Sequence, residues 1–512
     1  MATEIRMLGK HTVIYGVGIV ASKATGFIML PVYTRYLDPH EYGVLELLGT
    51  TIEIIAMIAA VGLVSTVFKF YSQYDDPREK QEVISTVIVM MVGIAAVTAL
   101  VGIWLSPRLA QLVFARSDYA GYFRVLFAVY FFQSGMAVIP LMYIRAVQDS
   151  LRFVGVNLCK LAVQVALNVY FIVFLDWDVR GALYSALVAE AGVGCYVLYY
   201  TVRRIGWRFS PEKCRSMLRF GYPFIFVSLG GFLMTSADRY VLNIFSDLET
   251  VGLYALAYKF GFILSTVAFM PFNLIWESRR FEIAKRDDGR AIFQQVFFYC
   301  NIVIVALSLV ICLFVRDFLG VMSAPSYRGA ANIVPLILVI YILQIWAAFC
   351  NIGLFLKDRS RYMATSALIS AGAAMALLLI LVPRYGAYGA GLATMSAWAL
   401  RFLLVYRYSQ TLYPIEYGWA KQSGLLATGV GIYVLSRLVA MPSLVGSLVV
   451  NTGLMACFLV VVHRWFLTAE ERAMITPGNL LAAMRGVTAS PGTDDSGRRE
   501  GRPVDAPVEL GG

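Results

Sequence analysis

The chain reads as an all-α integral membrane protein of about 14 transmembrane helices: two six-helix lobes related by pseudo-twofold symmetry, plus two C-terminal helices. Three observations predict this. From His11 to Leu467, apolar stretches of about 20 residues follow one another with short polar joins, and each can cross a ~30 Å hydrocarbon core while closing its own backbone hydrogen bonds. Hydrophobic residues make up 59% of the chain and charged residues 15%, with a mean hydropathy of +0.70, far from soluble averages. A pattern in the first half also recurs in the second.

The first apolar run follows Arg6 and Lys10 and so mimics a signal peptide. Lys23 interrupts it and no convincing small-residue cleavage site follows, so it reads as a retained span near 12–34. Spans near 42–68, 83–105, 121–143, 153–175 and 180–201 complete an N-terminal lobe over 1–201. A basic connector, 202–219, carries Arg203, Arg204, Arg208, Lys213, Arg215 and Arg219. The second lobe, 220–408, holds spans near 220–245, 251–276, 294–315, 330–356, 362–382 and 387–407. Two additional spans near 422–440 and 443–467 fill 409–468. The tail, 469–512, turns to Pro, Gly, Asp and Arg beyond about 485, as in Ser490-Pro491-Gly492-Thr493-Asp494-Asp495, and reads as disordered there.

The formal net charge of +11 is first a topology signal. One set of loops collects roughly 23 Lys/Arg against about 7 on the other, which places both termini, the connector and the Arg279–Arg290 loop in the cytoplasm. Nucleic acid is not an expected partner. Seven scattered cysteines without a CxxC pair read as small hydrophobes, and three distant histidines give no metal site. No Walker A loop, hydrolase elbow or loop of soluble-domain size is present, so an enzyme or ATP-driven pump is disfavoured and no cofactor is expected. For a multi-span chain this leaves a secondary-type transporter, with a cation-coupled small-molecule exporter and a membrane glycosyltransferase or polymerase as alternatives.

The repeat pairs Thr34-Arg35-Tyr36 and Tyr42-Gly43-Val44-Leu45 with Asp238-Arg239-Tyr240 and Val251-Gly252-Leu253-Tyr254, each followed by a new span. These residues, with Gly26-Phe27, Pro31, Glu41, Ala60-Val61-Gly62-Leu63, Phe68-Lys69 with Tyr71, and Tyr385-Gly386-Ala387-Tyr388-Gly389-Ala390, give the chain its resemblance. It resembles the polysaccharide-export or oligosaccharide flippase family, of the superfamily that also holds multidrug extruders and lipid II flippases, over most of 10–467. Lipid II flippases carry an Arg-Asp pair after the Gly-Phe of span 1, where this chain has Ile28-Met29-Leu30. The resemblance therefore implies movement of undecaprenyl-diphosphate-linked oligosaccharide across the bacterial inner membrane for O-antigen, capsule or exopolysaccharide assembly. It also implies membrane lipids, a polysaccharide polymerase and export machinery as partners.

Such cargo needs a cationic, aromatic-lined cavity, and a charge at a helix centre costs ~2.5–3.5 kcal/mol unless it faces a cavity or a partner. Lys23, Lys160, Lys259 and Arg401 are the candidates for substrate binding. Lys23 either meets the diphosphate or pairs with an acid such as Glu53. Lys160 has the same two readings, and shares a polar stripe with Asn157, Gln164 and Asn168. Lys69 and Arg145 are placed at the cytoplasmic mouth. Glu53 and Glu190 are candidates for proton or sodium coupling, or else form structural ion pairs. Asp238 and Arg239 form a pair that locks the lobes.

Overall fold

The computed structural model describes residues 26–474 except 27, 61, 358, 440 and 442. Every regular element among them is helical. The chain divides into two compact units, Met1–Met455 and Ala456–Gly512. The first begins with α1 (Leu30–Tyr36), α2 (Pro39–Ala59), α3 (Leu63–Gln73), α4 (Pro77–Phe114), α5 (Ala120–Ala146), α6 (Ser150–Phe174) and α7 (Asp178–Ile205). It continues with α8 (Pro211–Gly221), α9 (Pro223–Thr235), α10 (Ala237–Phe245), α11 (Leu248–Ile263), α12 (Met270–Ile283), α13 (Gly289–Met322), α14 (Ala330–Phe349) and α15 (Ile352–Leu356). α16 (Ser360–Leu412), α17 (Trp419–Leu438) and most of α18 (Leu444–Val461) follow. The second unit takes up the end of α18, a π-helical turn over Val462–Phe466 and α19 (Ala469–Met474).

Ten stretches among the described residues are long and apolar enough to cross a membrane, which does not confirm the count of about 14. The reasons are local. The span expected near 12–34 lies mostly outside the described residues. The one expected near 220–245 is broken at Ser236, which leaves helical backbone (φ −141°), and its two pieces have 13 and 9 residues. The one expected near 422–440 is a helix, α17, but Lys421 and Gln422 at one end and Arg437 at the other make it too polar. The spans expected near 362–382 and 387–407 are both present, as two helices joined at Gly386 (φ 52°, ψ −128°), a conformation open to glycine. The chain doubles back there, so that Tyr362 stacks on Tyr408 at 4.8 Å, and the two together fill a single one of the ten stretches. The span expected over 42–68 is likewise two helices, because Gly62 (φ 66°) turns the chain between α2 and α3.

α2 and α11 begin alike. Asp38 caps α2 by accepting from the Glu41 amide (2.7 Å), and Glu41 answers by accepting from the Asp38 amide (3.0 Å). Asp247 caps α11 by accepting from the Thr250 amide (2.7 Å). The two helices pack along each other and cross at Gly43 and Gly252. α4 packs on α5, α5 and α6 on α7, and α11 and α16 on α14. Wide π-helical turns at Phe131–Ala137, Val169–Phe174 and Leu264–Phe269 interrupt α5, end α6 and join α11 to α12. The main apolar core runs through these contacts, with Leu47, Phe123, Phe127, Tyr254, Ile337 and Phe349 all buried.

Candidate functional site

A buried charge network forms where α2, α10 and α11 meet. Glu46 follows Gly43 by one turn of α2 and so faces the same crossing. Its carboxylate accepts from Arg239 Nε (2.9 Å) and from Lys259 Nζ (3.3 Å). Arg239 also donates Nη1 to the Thr235 carbonyl (2.9 Å) and to Asp238 Oδ1 (3.1 Å), and stacks on the Tyr258 ring at 4.5 Å. The second oxygen of Asp238 accepts from the hydroxyls of Tyr254 (2.7 Å) and Tyr258 (3.1 Å). Two carboxylates thus balance two cations. Asp238 and Arg239 are almost fully buried, whereas 36% of the Lys259 side chain is exposed, which makes it the member that faces outward.

Asp238 and Arg239 do pair, but as neighbours on one short helix. The link between segments assigned to different halves of the chain runs from Arg239 to Glu46. Sequence reasoning missed Glu46. The available signal was a lone acid inside Val44-Leu45-Glu46-Leu47-Leu48, on the face of the repeated glycine.

Arg401, on the second half of α16, lines a cavity of about 350 Å³ together with Ser265, Gln344, Asn351, Ser366 and Trp398. Its guanidinium stands 5.0 Å from the Trp398 ring centre and 3.4 Å from Met234 Sδ. No acidic side chain pairs with it among the described residues. It therefore has a cavity beside it and, among the described residues, no carboxylate paired to it.

The other candidates are placed differently. Lys23 lies outside the described residues. Lys160 is hydrogen-bonded and ion-paired to Glu190, which joins a residue considered for cargo to one considered for ion coupling. The polar stripe of α6 turns toward α7: Asn168 accepts from Ser185, while Asn157 donates to its own helix at the Phe153 carbonyl (2.7 Å). Glu53 is exposed on α2, two turns beyond Glu46. Lys69 rests 3.4 Å from the Phe220 ring centre, and Arg145 lies between the rings of Phe68 (5.8 Å) and Phe153 (5.9 Å). Because Phe68 adjoins Lys69, both cations considered for the mouth belong to one aromatic patch.

Comparisons with known proteins bear on this architecture. The sequence pattern of the family described as "Polysaccharide biosynthesis protein" matches residues 8–276. The succinoglycan biosynthesis transport protein ExoT of Rhizobium meliloti (strain 1021) is 25% identical over 254 residues. That alignment covers 47% of each chain, so the present chain spans about half the length of this relative. Among solved structures, the fold is similar to the lipid II flippase MurJ in an inward closed conformation (TM-score 0.65, 12% identity, 88% of this chain and 99% of that one). It is also similar to an inward-facing multidrug resistance transporter of the MATE family (TM-score 0.62, 14% identity, 77% and 93%).

Proposed function

Since the chain belongs to the family of polysaccharide biosynthesis proteins, we propose that it is a multi-pass transporter that moves lipid-linked oligosaccharide between membrane leaflets. The cargo in this reading is an undecaprenyl-diphosphate-linked oligosaccharide, carried from the cytoplasmic to the outer leaflet of a bacterial inner membrane. Surface polysaccharide assembly is the purpose, and a polymerase and export machinery take up the product. Two lobes alternate in access, driven by a proton or sodium gradient, with both termini cytoplasmic.

The observation that supports an anionic cargo is Arg401. A guanidinium is always charged and holds phosphate oxygens in a planar fork. Holding it half-buried beside Trp398 with no carboxylate to neutralise it is costly unless an anion completes the site. Gln344, Asn351 and Ser366 add neutral hydrogen-bonding groups suited to phosphate or sugar, and Trp398 offers a stacking face. A site built to take an organic cation would present the opposite charge.

Complementation tests the reading. The chain is expressed in cells lacking a polysaccharide flippase, and surface glycan is measured for wild type, Arg401→Ala and Arg401→Lys at matched membrane levels. Wild type is expected to restore glycan, Arg401→Ala to abolish it, and Arg401→Lys to restore it only in part, because an ammonium keeps the charge and loses the fork. Full rescue by Arg401→Ala would remove the anionic site. Efflux of organic cations without glycan rescue would favour the exporter instead.

A further inference from the structure

A second cavity shares no lining residue with that of Arg401 and none with the charge network. It measures about 1190 Å³ and opens where three helix ends meet: the start of α13, the end of α16 and the start of α17. We propose that it seats the headgroup of an anionic phospholipid.

Charge is the first argument. Arg290 on α13 and Arg407 on α16 both line the cavity, and neither has an acidic partner among the described residues. Glu416 is the single acid in the wall, so the lining carries net positive charge. Arg290 is held in place by the Tyr413 ring, 5.3 Å from its guanidinium carbon. Basic pockets between membrane helices at the headgroup level bind anionic lipid heads.

The wall is also preformed. Gln410 pins the loop after α16 at both ends of its amide: it donates to the Ile415 carbonyl (2.6 Å) and accepts from the Ile415 amide (2.7 Å). Gly418 (φ 63°) then turns the chain into α17, and the Trp419 indole donates to the Tyr406 hydroxyl (2.9 Å). An ordered loop forfeits less entropy when a ligand binds. Trp419 and Tyr406 are the residue types that settle at the interface of a bilayer, and Leu403 in the same wall is 57% exposed, a surface for the first carbons of an acyl chain. A phosphate bearing an apolar tail uses all of these features, whereas free phosphate leaves the aromatic and leucine surface idle.

The proposal does not depend on the cargo or on Arg401. The full chain is reconstituted in nanodiscs of phosphatidylcholine with or without phosphatidylglycerol. Thermal unfolding is recorded, and retained lipid is counted by native mass spectrometry after transfer to detergent. Wild type is expected to keep phosphatidylglycerol in preference to phosphatidylcholine and to unfold at higher temperature in its presence. The double variant Arg290→Gln/Arg407→Gln is expected to bind phosphatidylglycerol roughly tenfold more weakly or worse. Arg290→Lys/Arg407→Lys, which keeps both charges, is expected to retain most of the binding and serves if the glutamine variant does not fold. Undiminished retention and thermal shift in the glutamine variant would overturn the proposal. So would wild type that does not distinguish the two lipids, or an equal shift with inorganic phosphate alone.

Discussion

Gly43 and Gly252 meet face to face where α2 crosses α11. A Cβ on Gly43 would run into the Leu248 carbonyl oxygen and stand 3.1 Å from the Gly252 amide nitrogen. A Cβ on Gly252 would run into the Pro39 carbonyl oxygen and stand 3.1 Å from the Gly43 amide nitrogen. The relationship is reciprocal down to the offset, since each glycine meets the residue four places before the other. Asp38 and Asp247 cap their helices five residues ahead of these glycines. Two copies of one helix start are thus packed against each other about a local twofold, and small residues are what allow backbones this close in a membrane.

Either glycine changed to alanine is therefore expected to force the helices apart. The obstacle is backbone, which cannot swing away, so a destabilisation of about 1–3 kcal/mol is expected, similar for Gly43→Ala and Gly252→Ala. Gly49→Ala is the control on the same helix, because nothing lies within 4 Å of a Cβ there. Thermal unfolding of the three purified variants checks this. A melting temperature lowered equally in all three would remove the crossing as the cause.

Glu46 is expected to matter more to stability than Lys259. Glu46→Gln leaves the buried Arg239 with Asp238 alone and Lys259 with nothing to balance it, and breaking a buried pair from one side costs about 3–5 kcal/mol. Lys259→Met removes only the outer, partly exposed partner and is expected to cost far less. A double-mutant cycle on unfolding in denaturing detergent measures the coupling. Additive effects would mean that the 3.3 Å contact contributes no coupling.

The class of the fold was legible because composition and apolar length alone decide it, and the repeat was legible because it placed Gly43 and Gly252 in register before their contact was known. The break between 382 and 387 was legible too, through the polar join around Tyr385-Gly386 ahead of a new apolar run. Helix count was not, because Gly62 and Ser236 end helices by backbone dihedral inside apolar sequence, where hydropathy has nothing to register. The charge network was half legible. Asp238-Arg239 is conspicuous as a charged pair in an apolar segment, but Arg239 reaches its decisive partner across 193 residues, and nothing in the spacing points from one to the other. Lys160 and Glu190 were half legible too: each was read as a costly charge in a span with an ion pair as one of its two readings, but nothing in a spacing of 30 residues showed that the partner of each is the other.

That pair makes a prediction about coupling. If Glu190 serves to hold Lys160, then Glu190→Gln leaves a partly buried ammonium without its counter-charge and is expected to lower stability. Lys160→Met/Glu190→Met removes both charges together, which replaces a desolvated pair by packed apolar groups, and is expected to recover most of the loss. Transport by the double variant should then respond to an imposed pH gradient as wild type does. A double variant that is stable, reaches the membrane and no longer responds to the gradient would instead make Glu190 a carrier of the coupling proton, with Lys160 as the group that sets when it is released.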